Sequence, residues 1–179
     1  MAESFSNKLG RAIGIVTTST GTSIGITTNV ITGVSTAGVA VGDLVDTGSY
    51  LGGTKVSSIG IGTITCDRDS TNTASVTSQT VKFLTPTTLY SSPNSTKTIL
   101  IGGTFANNTN GQIGLTVEML DNSTGIAVAL ASKIPVPAGS SFVISDTGKT
   151  LLEGLDVIKV YCDTASAIDA NISILTGVN

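Results

Sequence analysis

Asp67 and Asp69, in "CDRDS", are the two side chains best spaced for chemistry in this chain. Residues two apart on an extended strand share a face, so these carboxylates could hold a hard cation or flank a sugar as an acid and base pair. With Arg68 between them and a serine after them, the same stretch reads as a solvated turn. "GDLVD", with Asp43 and Asp46, lacks the glycine and the bidentate glutamate of a calcium loop. Cys162 lies between Tyr161 and Asp163, with no cationic neighbour in sequence to lower its thiol pKa, and reads as a core cysteine. "GGTFANNTNG" is glycine-rich but lacks the Lys-Ser/Thr ending of a phosphate cradle. The chain has no histidine, which removes the usual general base, the commonest transition-metal ligand and every histidine-containing triad. No catalytic, metal or cofactor residue is assigned, and the expectation is a protein that is not an enzyme.

The composition points the same way. Of 179 residues, 40% are hydrophobic and 12% charged, with 21 glycines, no tryptophan and 4% aromatics. Ile and Val among the apolar positions, with Ser, Thr and Gly among the rest, describe a mostly β chain with many turns. A net charge of -3, with the nine basic residues scattered, offers no clustered cationic patch to displace counterions, so nucleic acid is not an expected partner. The richest apolar run, "VITGVSTAGVAVGDLV", is broken by small and polar residues, and neither a membrane span nor a signal peptide is expected. Cys66 and Cys162 are expected as buried free thiols, with a single bridge between the two halves left open. Sequons at Asn94, Asn107, Asn122 and Asn171 are expected by chance in a chain so rich in Ser and Thr, and carry no glycan.

The elements that would position these residues fall into four stretches. Residues 1–12 read as a short arm or one helical turn, with Phe5 and Leu9 four apart on one face. Residues 13–85 read as a Thr/Gly-rich β domain, with Tyr50 exposed or half-buried in its longest loop. Residues 86–97, containing Pro86 and Pro93, read as a polar linker. Residues 98–179 read as an antiparallel sandwich: Ile113, Leu115, Val117 and Met119 alternate with Gly114, Thr116 and Glu118, with turns expected at Asn110-Gly111, at "DNSTG" and at "DTGK". Pro135 and Pro137, in "KIPVPAG", fall where the chain leaves one sheet for the next. Having no N–H, they are expected to protect a strand edge from pairing with another chain.

Together, "TILIGGTFANN", "TVEMLDNSTG", "KIPVPAGSSFVI", "LLEGLDVIKVY" and "IDANISIL" resemble a small immunoglobulin-like β-sandwich domain of tailed-bacteriophage structural proteins, notably of contractile-tailed phages of marine cyanobacteria. The Thr/Gly-rich segment "ITGVSTAGVAVGDLVD...GGTKVSSIGIGTITCDRDSTNT" is similar to β modules of virion and fibre proteins in the same phages. The resemblance implies a virion protein assembled in the host bacterial cytoplasm, serving as capsid decoration or as a neck or tail accessory. Its implied partners are major capsid, neck or tail subunits and further copies of itself, with Phe5, Leu9, Arg11 and Tyr50 as candidate assembly contacts. The alternative is a glycan-recognition module of a tail fibre or spike, working through end loops such as "DNSTG" and "SDTGK".

Overall fold

A computed structural model describes residues 3–144 and 149–178. The protein is all β and antiparallel. In chain order the strands are β1 (Ser4–Ile13), β2 (Ile15–Ile24), β3 (Val30–Thr32), β4 (Leu44–Asp46), β5 (Val56–Gly60), β6 (Thr63–Cys66), β7 (Val76–Thr85) and β8 (Thr87–Ser91). They continue as β9 (Lys97–Asn107), β10 (Ile113–Leu120), β11 (Ala127–Val136), β12 (Ser141–Ile144), β13 (Thr150–Leu152), β14 (Val157–Cys162) and β15 (Ile168–Val178). The chain divides into two compact units: Ile15–Pro86, and a second made from Met1–Gly14 together with Thr87–Asn179.

The contiguous unit is one six-stranded sheet in the order β4-β7-β2-β3-β6-β5. Ile24, Ile31, Val45, Val56, Ile64, Val81 and Phe83 form its core. The β5–β6 hairpin turns on Ile61 and Gly62, where Gly62 takes a φ of 65° that a side chain would resist.

The other unit is a sandwich of two antiparallel sheets. One runs β1-β15-β9-β12, with β13 also on β9; the other runs β11-β10-β14-β8. Leu100 and Phe105 of β9 and Ile172 and Ile174 of β15 share one core with Leu115 and Val117 of β10 and Ile158 and Val160 of β14. Each such side chain contributes about 1.5–3 kcal/mol on burial. Buried polar groups in this unit are paired. Tyr161 Oη donates to Glu118 Oε2 at 2.7 Å, and the Thr98 hydroxyl lies 2.9 Å from Tyr90 Oη and 3.1 Å from Ser92 Oγ.

Three expectations are corrected here. Residues 1–12 are neither an arm nor a helical turn: from Ser4 to Gly10 the backbone pairs with β15, Ser4 opposite Thr176 and Gly10 opposite Ala170. A spacing of four returns to one face in a strand as well as in a helix, so Phe5 and Leu9 fit both readings. Residues 86–97 are not simply a linker, because they contain β8, whose Tyr90 enters the sandwich core. Asn110-Gly111 does not close a hairpin, since β9 and β10 belong to different sheets and the segment carries the chain between them. "DNSTG" does turn between paired strands, β10 and β11, whereas most of "DTGK" lies outside the described residues.

Candidate functional site

The paired-carboxylate chemistry does not assemble. Asp67 and Asp69 follow the end of β6 in a bend, so they share no strand face. Asp67 Oδ1 accepts the Lys55 amide at 2.8 Å, which commits it to holding the chain beside β5. Asp43 is buried, with Oδ2 accepting the Ala40 amide at 2.8 Å, and Asp46 stands opposite Lys82 across β4 and β7. Among the described residues no group of three or more His, Cys, Asp or Glu is placed to hold a metal ion.

Neither cysteine is in a disulfide and both are buried, Cys66 in the core of the single-sheet unit and Cys162 in that of the sandwich. Tyr50, expected at an assembly surface, is only 4% exposed. It can enter the core because its phenol finds an acceptor there, donating to the Thr28 carbonyl at 3.1 Å. Burial pushes the Cys66 thiol from its ordinary value of 9.0 up to about 11, and burial also raises the Tyr50 phenol. Both folded values lie above the unfolded ones, so the unfolded chain loses these protons first as pH rises. The Cys66 contribution is therefore complete below about pH 9 and lost as pH climbs through 11, and the Tyr50 contribution begins to fall above about pH 10 and is lost at higher pH than that of Cys66. Denaturant midpoints for the Ile15–Pro86 unit are expected to fall between pH 8 and pH 10.5, and Tyr50→Phe with Cys66→Ala should flatten that fall; an unflattened slope would assign it to other groups.

Phe5, Leu9 and Arg11 are brought together on the solvent face of β1. Phe5 is 74% and Leu9 76% exposed, while Ser6, Lys8 and Gly10 alternate toward the other face. Lys8 Nζ lies 5.9 Å from the centre of the Tyr90 ring, within cation–π range. Phe5 heads a row that crosses the sheet. It stands opposite Leu175, Leu175 opposite Ile99, and Ile99 opposite Leu151 of β13. A second row runs from Leu9 through Asn171 and Thr104 to Val143 of β12. At the end of that sheet, Leu9, Arg11, Thr104, Asp169 and Asn171 line a depression of about 560 Å³. Leu175, Ile99, Leu151 and Val143 carry no signal in the sequence, because a row across a sheet is set by register between strands far apart in the chain.

No family model matches the chain, and no curated protein matches it. Among solved structures it is similar to that of the infectious bursal disease virus Gx strain, at 10% identity and a TM-score of 0.37, over 98% of this chain and 72% of that one. It is also similar to the VP2 subviral particle of infectious bursal disease virus, at 10% identity and a TM-score of 0.35, over 94% of this chain and 72% of that one.

Pro135 lies on β11, an edge strand, opposite Gly114 of β10. Pro137 follows the end of β11, and its carbonyl accepts the Ser140 amide at 3.1 Å in the corner that leads to β12 in the other sheet. The end loop Asp121 to Gly125 has no aromatic side chain on which a sugar could stack. Its carboxylate is used internally: Asp121 Oδ1 accepts from the Ser123 hydroxyl and from the amides of Ser123 and Thr124. The Ser123 bond foremost holds the Asp121 carboxyl below its usual value. Most of "SDTGK" lies outside the described residues.

Asn107 was not singled out by its chemistry in sequence, yet it organises one corner of the sandwich. Its Nδ2 donates to the carbonyls of Gly111, Val136 and Pro137 at 2.8, 2.9 and 3.1 Å, and its Oδ1 accepts from the Thr109 amide and hydroxyl, both at 2.8 Å. The sequon containing it is therefore occupied from within the fold.

Proposed function

We propose that this protein is a non-enzymatic structural component of a virus particle, carried in many copies as a capsid decoration or a neck or tail accessory protein of a tailed bacteriophage. The observation that carries the reading is the Phe5–Leu175–Ile99–Leu151 row on the solvent face of the sandwich. Such a contiguous apolar stretch marks a surface built for contact with other protein. One carboxylate of each candidate pair, Asp67 and Asp43, instead accepts a backbone amide, and the sequence resembles phage structural proteins over most of its length. The partners are other virion subunits and further copies of this chain.

Mass spectrometry of gradient-purified particles, with antibody labelling of the same particles in the electron microscope, tests the reading. The protein is expected at a fixed ratio to the major capsid protein and at one repeated position. Its absence from purified particles, with the protein recovered only from the soluble lysate, would reject the proposal.

A further inference from the structure

The exposed edges of the sandwich are not alike. β12 and β13 are four and three residues long; β8 lies between Pro86 and Pro93; β11 carries Pro135 and two register shifts. Short strands, prolines and bulges are the devices by which β proteins keep edges from pairing with other chains. β1 has none of them over Ser4 to Gly10, where it pairs regularly with β15 on one side only; its bulge comes after Gly10. A seven-residue regular edge presents free backbone donors and acceptors to solvent.

The side chains of that edge are self-complementary about its centre, Asn7. If a second copy is paired antiparallel on a two-fold axis through Asn7, Phe5 stands opposite Leu9 of the second copy and Leu9 opposite Phe5. Just beyond the regular edge, Glu3 of one copy comes to the same end of the ladder as Arg11 of the other, so both ends carry opposite charges. Glu3, Phe5, Leu9 and Arg11 are all exposed. On the inner face Ser6 meets Lys8, so no like charges face each other. The neighbouring two-fold registers lose these matches. Centred on Ser6, Leu9 meets Glu3 and Phe5 meets Asn7; centred on Lys8, the two lysines face each other and Phe5 meets Arg11. Opposite charges and apolar pairs directly across strands stabilise pairing, and like charges oppose it.

From this edge and its pairing pattern we infer that the protein forms a two-fold dimer through β1, joining the two β1-β15-β9 sheets into one continuous antiparallel sheet. Isologous contact of this kind is the commonest route to a symmetric dimer, and it joins the apolar row headed by Phe5 to the mixed polar and apolar row headed by Leu9. The inference stands apart from the virion reading, because it concerns the purified chain alone.

Sedimentation velocity of the full chain over a range of concentrations tests it. The wild type is expected to show a concentration-dependent dimer. Arg11→Glu sets two like-charge pairs across the axis and is expected to weaken association about tenfold, whereas Glu3→Arg with Arg11→Glu is expected to restore it to within about threefold of wild type. Both positions are exposed, and circular dichroism checks that each variant is folded. A wild type that stays monomeric up to about 100 μM, a dimer indifferent to Arg11→Glu, or a double variant no better than the single one would each overturn the β1 pairing.

Discussion

Asn107→Asp is expected to destabilise the sandwich by about 3 kcal/mol or more, a large part of the roughly 5–15 kcal/mol that holds a domain of this kind folded. The substitution keeps size and shape and changes the chemistry at one atom. Where Nδ2 donates to the carbonyls of Gly111, Val136 and Pro137, aspartate places an acceptor, so three carbonyls each lose one donor and face a carboxylate at hydrogen-bond distance. Asn107 is 2% exposed, so water cannot readily replace the lost partners, and a buried uncompensated charge is among the costliest defects a core can carry. Asn107→Ala is expected to cost less, because it removes the amide without adding charge, although the Thr109 donors and the three carbonyls still lose this partner. Urea denaturation monitored on both variants checks the order. A midpoint for the aspartate variant within error of wild type would mean that the corner is held by its backbone alone.

Gly14→Ala is expected to cost about 3–5 kcal/mol, large for a single methyl group and confined to a few mechanisms. Gly14 has a φ of 133°, a region that residues with a Cβ rarely adopt. A Cβ there would be driven into the Thr164 carbonyl oxygen and would lie 3.0 Å from the Ser166 amide nitrogen. Those atoms cannot easily retreat. The Ser166 amide donates to the Gly14 carbonyl at 3.0 Å, and the Ala167 amide donates to the Ile13 carbonyl at 2.9 Å. Strain and clash therefore fall on the same hydrogen-bonded backbone. Gly48→Ala is the matched control: nothing lies within 4 Å of its added methyl, and its φ is not in the left-handed region. Its midpoint should stay within about 0.5 kcal/mol of wild type, and equal losses for the two substitutions would remove the steric explanation.

Where the sequence could be read, a single strand carried enough information by itself. Ile113, Leu115 and Val117, like Ile158, Val160 and Cys162, alternate in sequence and do enter the core. The "DNSTG" turn is legible because Asp121 satisfies its own loop. What escaped is whatever depends on two distant segments. β1 pairs with β15, more than 150 residues away, and no local pattern names that partner. β8 hides in a polar stretch because Thr87 and Thr88 suit an edge strand as well as a loop, and it is tied to the core by Tyr90, whose hydroxyl meets Thr98, and by Leu89 packed against it. The burial of Tyr50 is illegible for the converse reason: an aromatic in a glycine-rich loop reads as exposed until an acceptor such as the Thr28 carbonyl is known to lie within reach of its hydroxyl.

The pairing of β1 with β15 also sets an order of events in time. Residues 15–86 are contiguous, so that unit can close as soon as it has left the ribosome. β1 is made first but has no neighbour until residues 168–178 arrive, and a contact of such long sequence separation forms late and slowly. Until then Phe5 and Leu9 have no partner strand to fix their register. The regular edge with Asn7 at its centre comes into being only when β15 docks, so the means to join a second copy arises at the same moment that this sandwich closes.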